Sequence, residues 1–193
     1  MRKILLGILG VWLLGLTLWV NHLHFGMHED VIGFGSVPVP MGEIYFENNA
    51  VNSIITTQST LTKVVVTTTL NATSSFDSPS YGRLRYTGLV TTYFHCGSTV
   101  SLKSLGTNTV TRQVLVKNGT VNASNEYTGG VQQTGQVEHK VGTAGDVIST
   151  AIHSMVKMAT NDYIELAVSN DTDTNDFTIT NADTFCLGGD IPL

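Results

Sequence analysis

Asp162–Val168 reads DYIELAV, and its strict alternation sets the fold class. Ile164, Leu166 and Val168 share one side of an extended chain, while Tyr163, Glu165 and Ala167 share the other. One side packs on a core and the other meets solvent or a partner. The same period recurs in TYFHCGSTVSL (92–102), where Phe94, Cys96, Val100 and Leu102 fall together. It recurs again in RLRYTG (83–88), with Leu84 and Tyr86 on one face and Arg83 and Arg85 on the other.

Turn signals punctuate these runs. Asn118-Gly119 lies between two β runs in VLVKNGTVNAS and predicts a type I′ hairpin, because that turn needs positive φ at both central residues. Asn161-Asp162 precedes a strand, and SNDTDTNDFTIT (169–180) reads as a polar loop joining two late strands. The expected strands are 43–46, 52–57, 61–69, 82–88, 90–104, 109–117, 120–127, 136–140, 147–158, 162–169 and 176–186. So many strands without an amphipathic helix predict an all-β fold of two packed antiparallel sheets.

Composition narrows the function. Charged residues make up 13% of the 193 and the formal net charge is -5, with basic residues scattered singly or in pairs. Nucleic acid is not an expected partner, since phosphate binding needs a basic stripe. No nucleophile elbow, HExxH, P-loop or Gly-rich dinucleotide fingerprint occurs, so no catalytic residue is assigned and the chain reads as a non-enzyme.

Asp171, Asp173 and Asn175 have the alternating oxygens of a calcium loop and form the one weak calcium candidate; no other cofactor is expected. Asp176 stands where such a loop needs Gly, and Ala182 where it needs Glu, which favours a solvated hairpin tip. His22, His24 and His28 with Glu29 and Asp30 read first as the polar border of an apolar segment and only second as a metal cluster. His95, His139 and His153 are expected to pack or be exposed individually. Sequons stand at Asn71, Asn118, Asn122 and Asn170. Cys96 and Cys186 read as two small buried thiols, with a disulfide the alternative if the domain is exported.

The order of motifs carries a resemblance. GEIYFENNAVNSIITTQSTLTKV (42–64), YGRLRYTG (81–88), RQVLVKNGTVNAS (112–124), GTAGDVISTAIHSMVKMATNDYIELAVSND (142–171) and FTITNADTFCLGG (177–189) together resemble a C1q/TNF-like jelly roll. The series is similar in particular to the version in structural proteins of tailed bacteriophages, marine and cyanobacterial ones above all. There a GE(L/I)Y opening, a KNG hairpin, a G-GDV loop and an xDYxELxV strand follow in this order. The resemblance spans residues 42–189 and implies a ten-strand sandwich that forms a homotrimer without a catalytic site. Its loops and outer face would bind glycans, receptors or neighbouring subunits. It also implies that the strands of Cys96 and Cys186 are neighbours, although Cys186 alternates out of step with Phe185 and Leu187. The collagen-like repeats of animal C1q proteins are missing from this chain.

A hydrophobic head precedes the domain: residues 1–26 form an expected helix and its exit, 27–41 a Gly/Pro linker, and 42–193 the jelly roll. After Arg2 and Lys3 come Ile4, Leu5, Leu6 and Leu9, then Val11, Trp12, Leu13 and Leu14, then Leu16, Leu18, Trp19 and Val20. As a helix, Ile4–Val20 would span about 25 Å, the lower limit for a bilayer. The basic start would keep that end cytoplasmic and the β domain outside. No small-x-small cleavage site follows Val20, so an anchor or an assembly-buried tail is expected before a cleaved signal. The expected function is a virion surface protein, a fibre, spike or decoration acting in attachment or particle stabilisation. Its partners would be other virion proteins or a host receptor or glycan. The alternative is a membrane-anchored cell-surface domain that binds glycan or protein.

Overall fold

A computed structural model describes residues 39–73, 75–128 and 132–188, without the side chains of 132 and 133. The expected N-terminal helix, its anchor residues, nearly all of the linker and the His22–Asp30 cluster lie outside the described residues. Among those described, no helix is long and apolar enough to cross a membrane.

Among the described residues, twelve strands form two antiparallel sheets. In chain order they are β1 (Met41–Phe46), β2 (Asn52–Ser53), β3 (Thr62–Lys63), β4 (Thr69–Ala72), β5 (Phe76–Asp77) and β6 (Arg83–Tyr86). There follow β7 (Thr92–Ser104), β8 (Thr109–Lys117), β9 (Gln132–Val141), β10 (Val147–Met158), β11 (Tyr163–Asn170) and β12 (Phe177–Gly188). The first sheet has the order β10-β7-β12-β1-β4 with β2 on β12, and the second β5-β6-β11-β8-β9 with β3 on β11. From β7 to β8 and from β9 through β12 successive long strands cross from one sheet to the other, while β8 and β9 pair within the second, a connectivity that fits a jelly roll.

Alternation explains the main core. Leu84, Tyr86, Phe94, Cys96, Leu102, Ile164, Leu166 and Val168 are all buried in one cluster between the sheets. At one end Phe76, Tyr86 and Phe94 pack with ring centroids 4.9–5.4 Å apart in tilted or edge-to-face arrangements, the geometry that ring quadrupoles favour.

Four expectations change. The expected strand 120–127 is a looped excursion touching the sheets only at isolated bridges, Thr62 to Glu126 and Val121 to Tyr127. Asn118-Gly119 does not make a type I′ hairpin. Asn118 takes φ of 53° but Gly119 is not in the positive-φ region, and the partners of β8 are β9 and β11. Asn118 instead reaches Asp162 at 2.6 Å and the Tyr163 amide at 3.0 Å. The expected strands 52–57 and 61–69 shrink to two-residue pairings at β2 and β3 and the short β4.

Finally, the second face of β11 does not meet solvent. Leu61, Val121 and Tyr127 from the excursions fold over Val114, Val116 and Ala167 to make a second, smaller core. Gly119 permits this, because a Cβ there would lie 2.2 Å from the Tyr127 ring.

Candidate functional site

The two sheets present unlike outer surfaces. The second is capped: beneath its flap Glu165 is fully buried, with Lys63 Nζ at 2.5 Å and Arg83 Nε at 2.8 Å from Oε1. Tyr127 donates to Oε2 at 2.9 Å, and the Arg83 guanidinium lies 3.7 Å over the Tyr163 ring. Burial, reinforced by the Glu165 charge, pushes the Tyr127 phenol far above its usual range. This constellation is a clasp that satisfies a buried charge, with two cations on one carboxylate oxygen and a phenol on the other.

The outer face of the first sheet carries no such cap among the described residues. Register places its outward side chains in rows across β10, β7, β12, β1 and β4. Met155, His95, Leu187 and Met41 form one row, and His153, Gly97, Phe185, Glu43 and Asn71 the next. Ala151, Thr99, Asp183, Tyr45 and Thr69 follow, then Ser149, Ser101 and Asn181.

One end of this face is apolar. Met155, Tyr93 and Leu187 are 63%, 48% and 46% exposed. His95 and His153, expected to act singly, stack with centroids 5.2 Å apart and an interplanar angle of 15°. Phe185 meets both rings edge-on, and Lys157 lies 5.7 Å from the Tyr93 ring. The other end is polar and concave. A groove of about 800 Å³ runs there between β1 and β10, lined among others by Glu43, Tyr45, Asn71, Ser101, Asn181 and Asp183.

Burial, with the charge and hydrogen bond of Glu43 beside it, pushes the Asp183 carboxyl up to about 6. Glu43 also accepts from Asn71 Nδ2 at 2.9 Å. Asp183 Oδ1 is shielded from solvent and has no hydrogen-bond partner.

The disulfide decides the question the sequence left open. Cys96 and Cys186 are not two separate thiols: they stand opposite each other on β7 and β12, Cα atoms 4.1 Å apart, and are bonded. Cys186 turns inward with Ala182 and Thr184, which is why Phe185 and Leu187 face out. The out-of-step alternation was therefore a sign of an apolar outer face.

The calcium candidates do not face one another as ligands. Asp171 Oδ1 accepts from Ser169 Oγ at 2.8 Å and from Arg112 at 3.4 Å. Asp173 instead takes hydrogen bonds from the Asn170 side chain at 2.5 Å and from Asn175, backbone at 2.9 Å and side chain at 2.7 Å. A cation there would have to displace Arg112 and three amide donors. No group of three His, Cys, Asp or Glu positioned for a metal occurs among the described residues.

Of the sequon residues, Asn170 is fully buried and holds the 171–176 loop through Thr172 and Asp173, whereas Asn71 is exposed on β4. Sequence reasoning assigned no role to the two ends of the outer face. The signal was present in the outward positions of β7, β10 and β12, where Tyr93, Met155, Phe185 and Leu187 occupy the side opposite the core.

No family model matches this chain, and no curated protein matches it. Among solved structures the chain is similar to murine APRIL at pH 5.0, with 10% identity, a TM-score of 0.49 and coverage of 77% of this chain and 98% of that one. It is also similar to the Eiger TNF of S. frugiperda, with 12% identity, a TM-score of 0.46 and coverage of 80% and 98%. The globular domain of zebrafish complement 1qA gives 7% identity, a TM-score of 0.48 and coverage of 77% and 96%. At these values the likenesses carry neither a family assignment nor a function to this chain. The narrowing to phage proteins has no counterpart among these three.

Proposed function

We propose that this chain is a non-enzymatic homotrimeric recognition and structural protein displayed at a surface. On a virion it would serve as a fibre, spike or decoration in attachment or particle stabilisation. The observation that carries this reading is the asymmetry of the two sheets. The second sheet has the outer face of β8 and β11 covered at Val114, Val116 and Ala167 by its own chain, whereas the first leaves Tyr93, Met155, Phe185 and Leu187 on an open face. Contiguous exposed apolar side chains on a folded domain mark a surface that associates. We assign that end of the sheet to contacts with the other two copies.

The Cys96–Cys186 bond favours the second reading, a membrane-anchored domain facing the cell exterior. Disulfides form and persist in oxidising compartments, and a basic-then-apolar head would leave the β domain outside. Both readings keep the trimer and the surface display and differ in what the head holds.

Sedimentation of the full chain in mild detergent tests the common part: three protomers are expected, and Met155→Lys should yield monomers. A monomeric parent chain refutes the trimer. Mass spectrometry of purified particles then separates the settings, since absence of the chain from virions sinks the viral one.

A further inference from the structure

The paired imidazoles of the outer face lie inside the surface given to subunit contact. In its row across the sheet His95 stands on β7 between Met155 of β10 and Leu187 of β12, which are 63% and 46% exposed. A copy that covers both of those side chains covers His95 as well. His153 stands one row away on β10, opposite Gly97. It reaches its partner because that glycine has no side chain: a Cβ there would be 3.0 Å from His153 Nδ1 and 2.8 Å from the Phe185 ring. In the single chain both histidines are exposed and open to protons from solvent.

The charges around the pair leave an imidazolium without support. Lys157, over the Tyr93 ring, is a cation one row beyond His95. Glu43 shares the His153 row, but Gly97 and Phe185 stand between them, and its carboxylate accepts from Asn71. Asp183 lies one row further from His95 than Phe185 does, with its carboxyl beside Glu43. On β9, Gly135 lies against the His153 carbonyl, and Glu138, His139 and Lys140 follow further along the strand. Each imidazolium would have a second ring at 5.2 Å, a lysine and apolar side chains about it. Burial under a neighbouring copy disfavours the charged form of such a group, and two like charges in one stack oppose each other.

We propose that the His95–His153 stack makes assembly sensitive to pH: neutral, it is covered in the contact between copies, and protonated, it drives the copies apart. The inference deepens the trimer reading above and rests on it. Its sign is opposite to that of the overall charge. The chain carries a formal net charge of -5, and acid that protonates Asp183 or another carboxyl lowers the repulsion between copies, which favours assembly. Loss of assembly on mild acidification therefore points to histidine.

The experiment sediments the full chain in mild detergent at about pH 7.5 and about pH 5, towards the two ends of the histidine range. The parent should be a trimer at the first and a monomer at the second, reversibly. With one proton taken up per stack and three stacks per trimer, the assembly constant should fall roughly a thousandfold per pH unit, a factor of ten for each proton. The double variant His95→Gln with His153→Gln should remain a trimer at both values. His139→Gln, on the second sheet, should behave as the parent.

A parent that is trimeric at both values overturns the switch and leaves the trimer standing. A double variant that dissociates in acid as the parent does places the sensitive group elsewhere and overturns it too. Where the double variant fails to assemble at all, the parent's own slope decides, and an assembly constant independent of pH refutes the proposal. Far-ultraviolet circular dichroism should be the same at both values; loss of the β signal together with the trimer would make acid unfolding the cause and overturn the switch. A parent monomeric at both values sinks the trimer and the switch together.

Discussion

Tyr127, on a loop with almost no regular structure, donates its phenolic hydrogen at 2.9 Å to Glu165, a fully buried carboxylate at the centre of a strand. A side chain from an excursion thus closes the solvation shell of a charge that Lys63 and Arg83 alone do not complete. The flap and the charge depend on each other.

Replacing Glu165 by Gln leaves Lys63 and Arg83 facing a neutral amide under the flap. The expected loss is about 3–5 kcal/mol, the cost typical of orphaning one side of a buried ion pair. Tyr127→Phe, which removes one hydrogen bond, should cost about 1–2 kcal/mol. Urea unfolding of both variants checks the ranking, and equal midpoints would remove the clasp from the account.

Gly119→Ala acts on the same flap by contact rather than charge. The added methyl meets the Tyr127 ring at 2.2 Å, so the ring must move off Val114 and Ala167. A loss of about 1–3 kcal/mol is expected from overpacking of this kind. Limited proteolysis should cut the variant between residues 118 and 128 sooner than the parent; identical cleavage rates count against the packing described.

The disulfide closes a loop with a sequence separation of 90. By chain entropy such a closure contributes about 4–5 kcal/mol. The double replacement Cys96→Ser with Cys186→Ser should lower the unfolding midpoint accordingly. Unreduced protein, denatured, should show no thiol towards Ellman's reagent, and two reactive thiols would contradict the bond.

Asp183 supplies a pH dependence with a defined sign. Its carboxyl is raised to about 6, so the folded state favours the protonated form. Its contribution is present below its ordinary pKa of 3.8 and is lost as pH rises through about 6. Asp183→Asn should therefore melt higher than the parent at about pH 7, and the gap should close at about pH 3.5.

Asp77, held low by Arg85, runs the other way. So does Asp162: burial would raise it, but bonds from Lys117, Ala159 and Asn118 outweigh that and hold it low. Their contributions are present above an ordinary value of 3.8 and are lost as pH falls through their lowered values. Thermal melts of parent and variant across this range test the sign, and parallel curves would dismiss it.

How legible all this was in the sequence depended on whether contacts were local in pattern. Ile164, Leu166 and Val168 repeat every two residues, so their shared face could be read from the text alone. Leu61 and Tyr127 belong to no such period. They meet Ala167 only because two distant excursions fold back, and nothing in their own neighbourhood signals it. The dipeptide Asn118-Gly119 misled for a related reason. The local preference of Asn for positive φ was real, but Tyr127 and Asp162 decided where the chain went next.

Cys186 alternates out of step with Phe185 and Leu187 because it faces the core and they face out, a direction that the alternation alone does not assign. The groove was invisible for another reason: Tyr45, Asn71, Ser101 and Asp183 come from four strands far apart in the chain, and only sheet register brings them together.

The position of β12 has a consequence for how the molecule is made. This last strand is the middle of the first sheet, seated between β7 and β1 and tied to β7 by the disulfide. Until Phe177–Gly188 leaves the ribosome or the translocation pore, β7 and β1 have nothing between them. The two halves of the sheet must wait, open-edged, for Phe177–Gly188 to be made. A message truncated before codon 177 therefore yields no shortened version of the domain, only a chain that cannot close. Emergence of Phe177–Gly188 is itself the checkpoint for closing the first sheet.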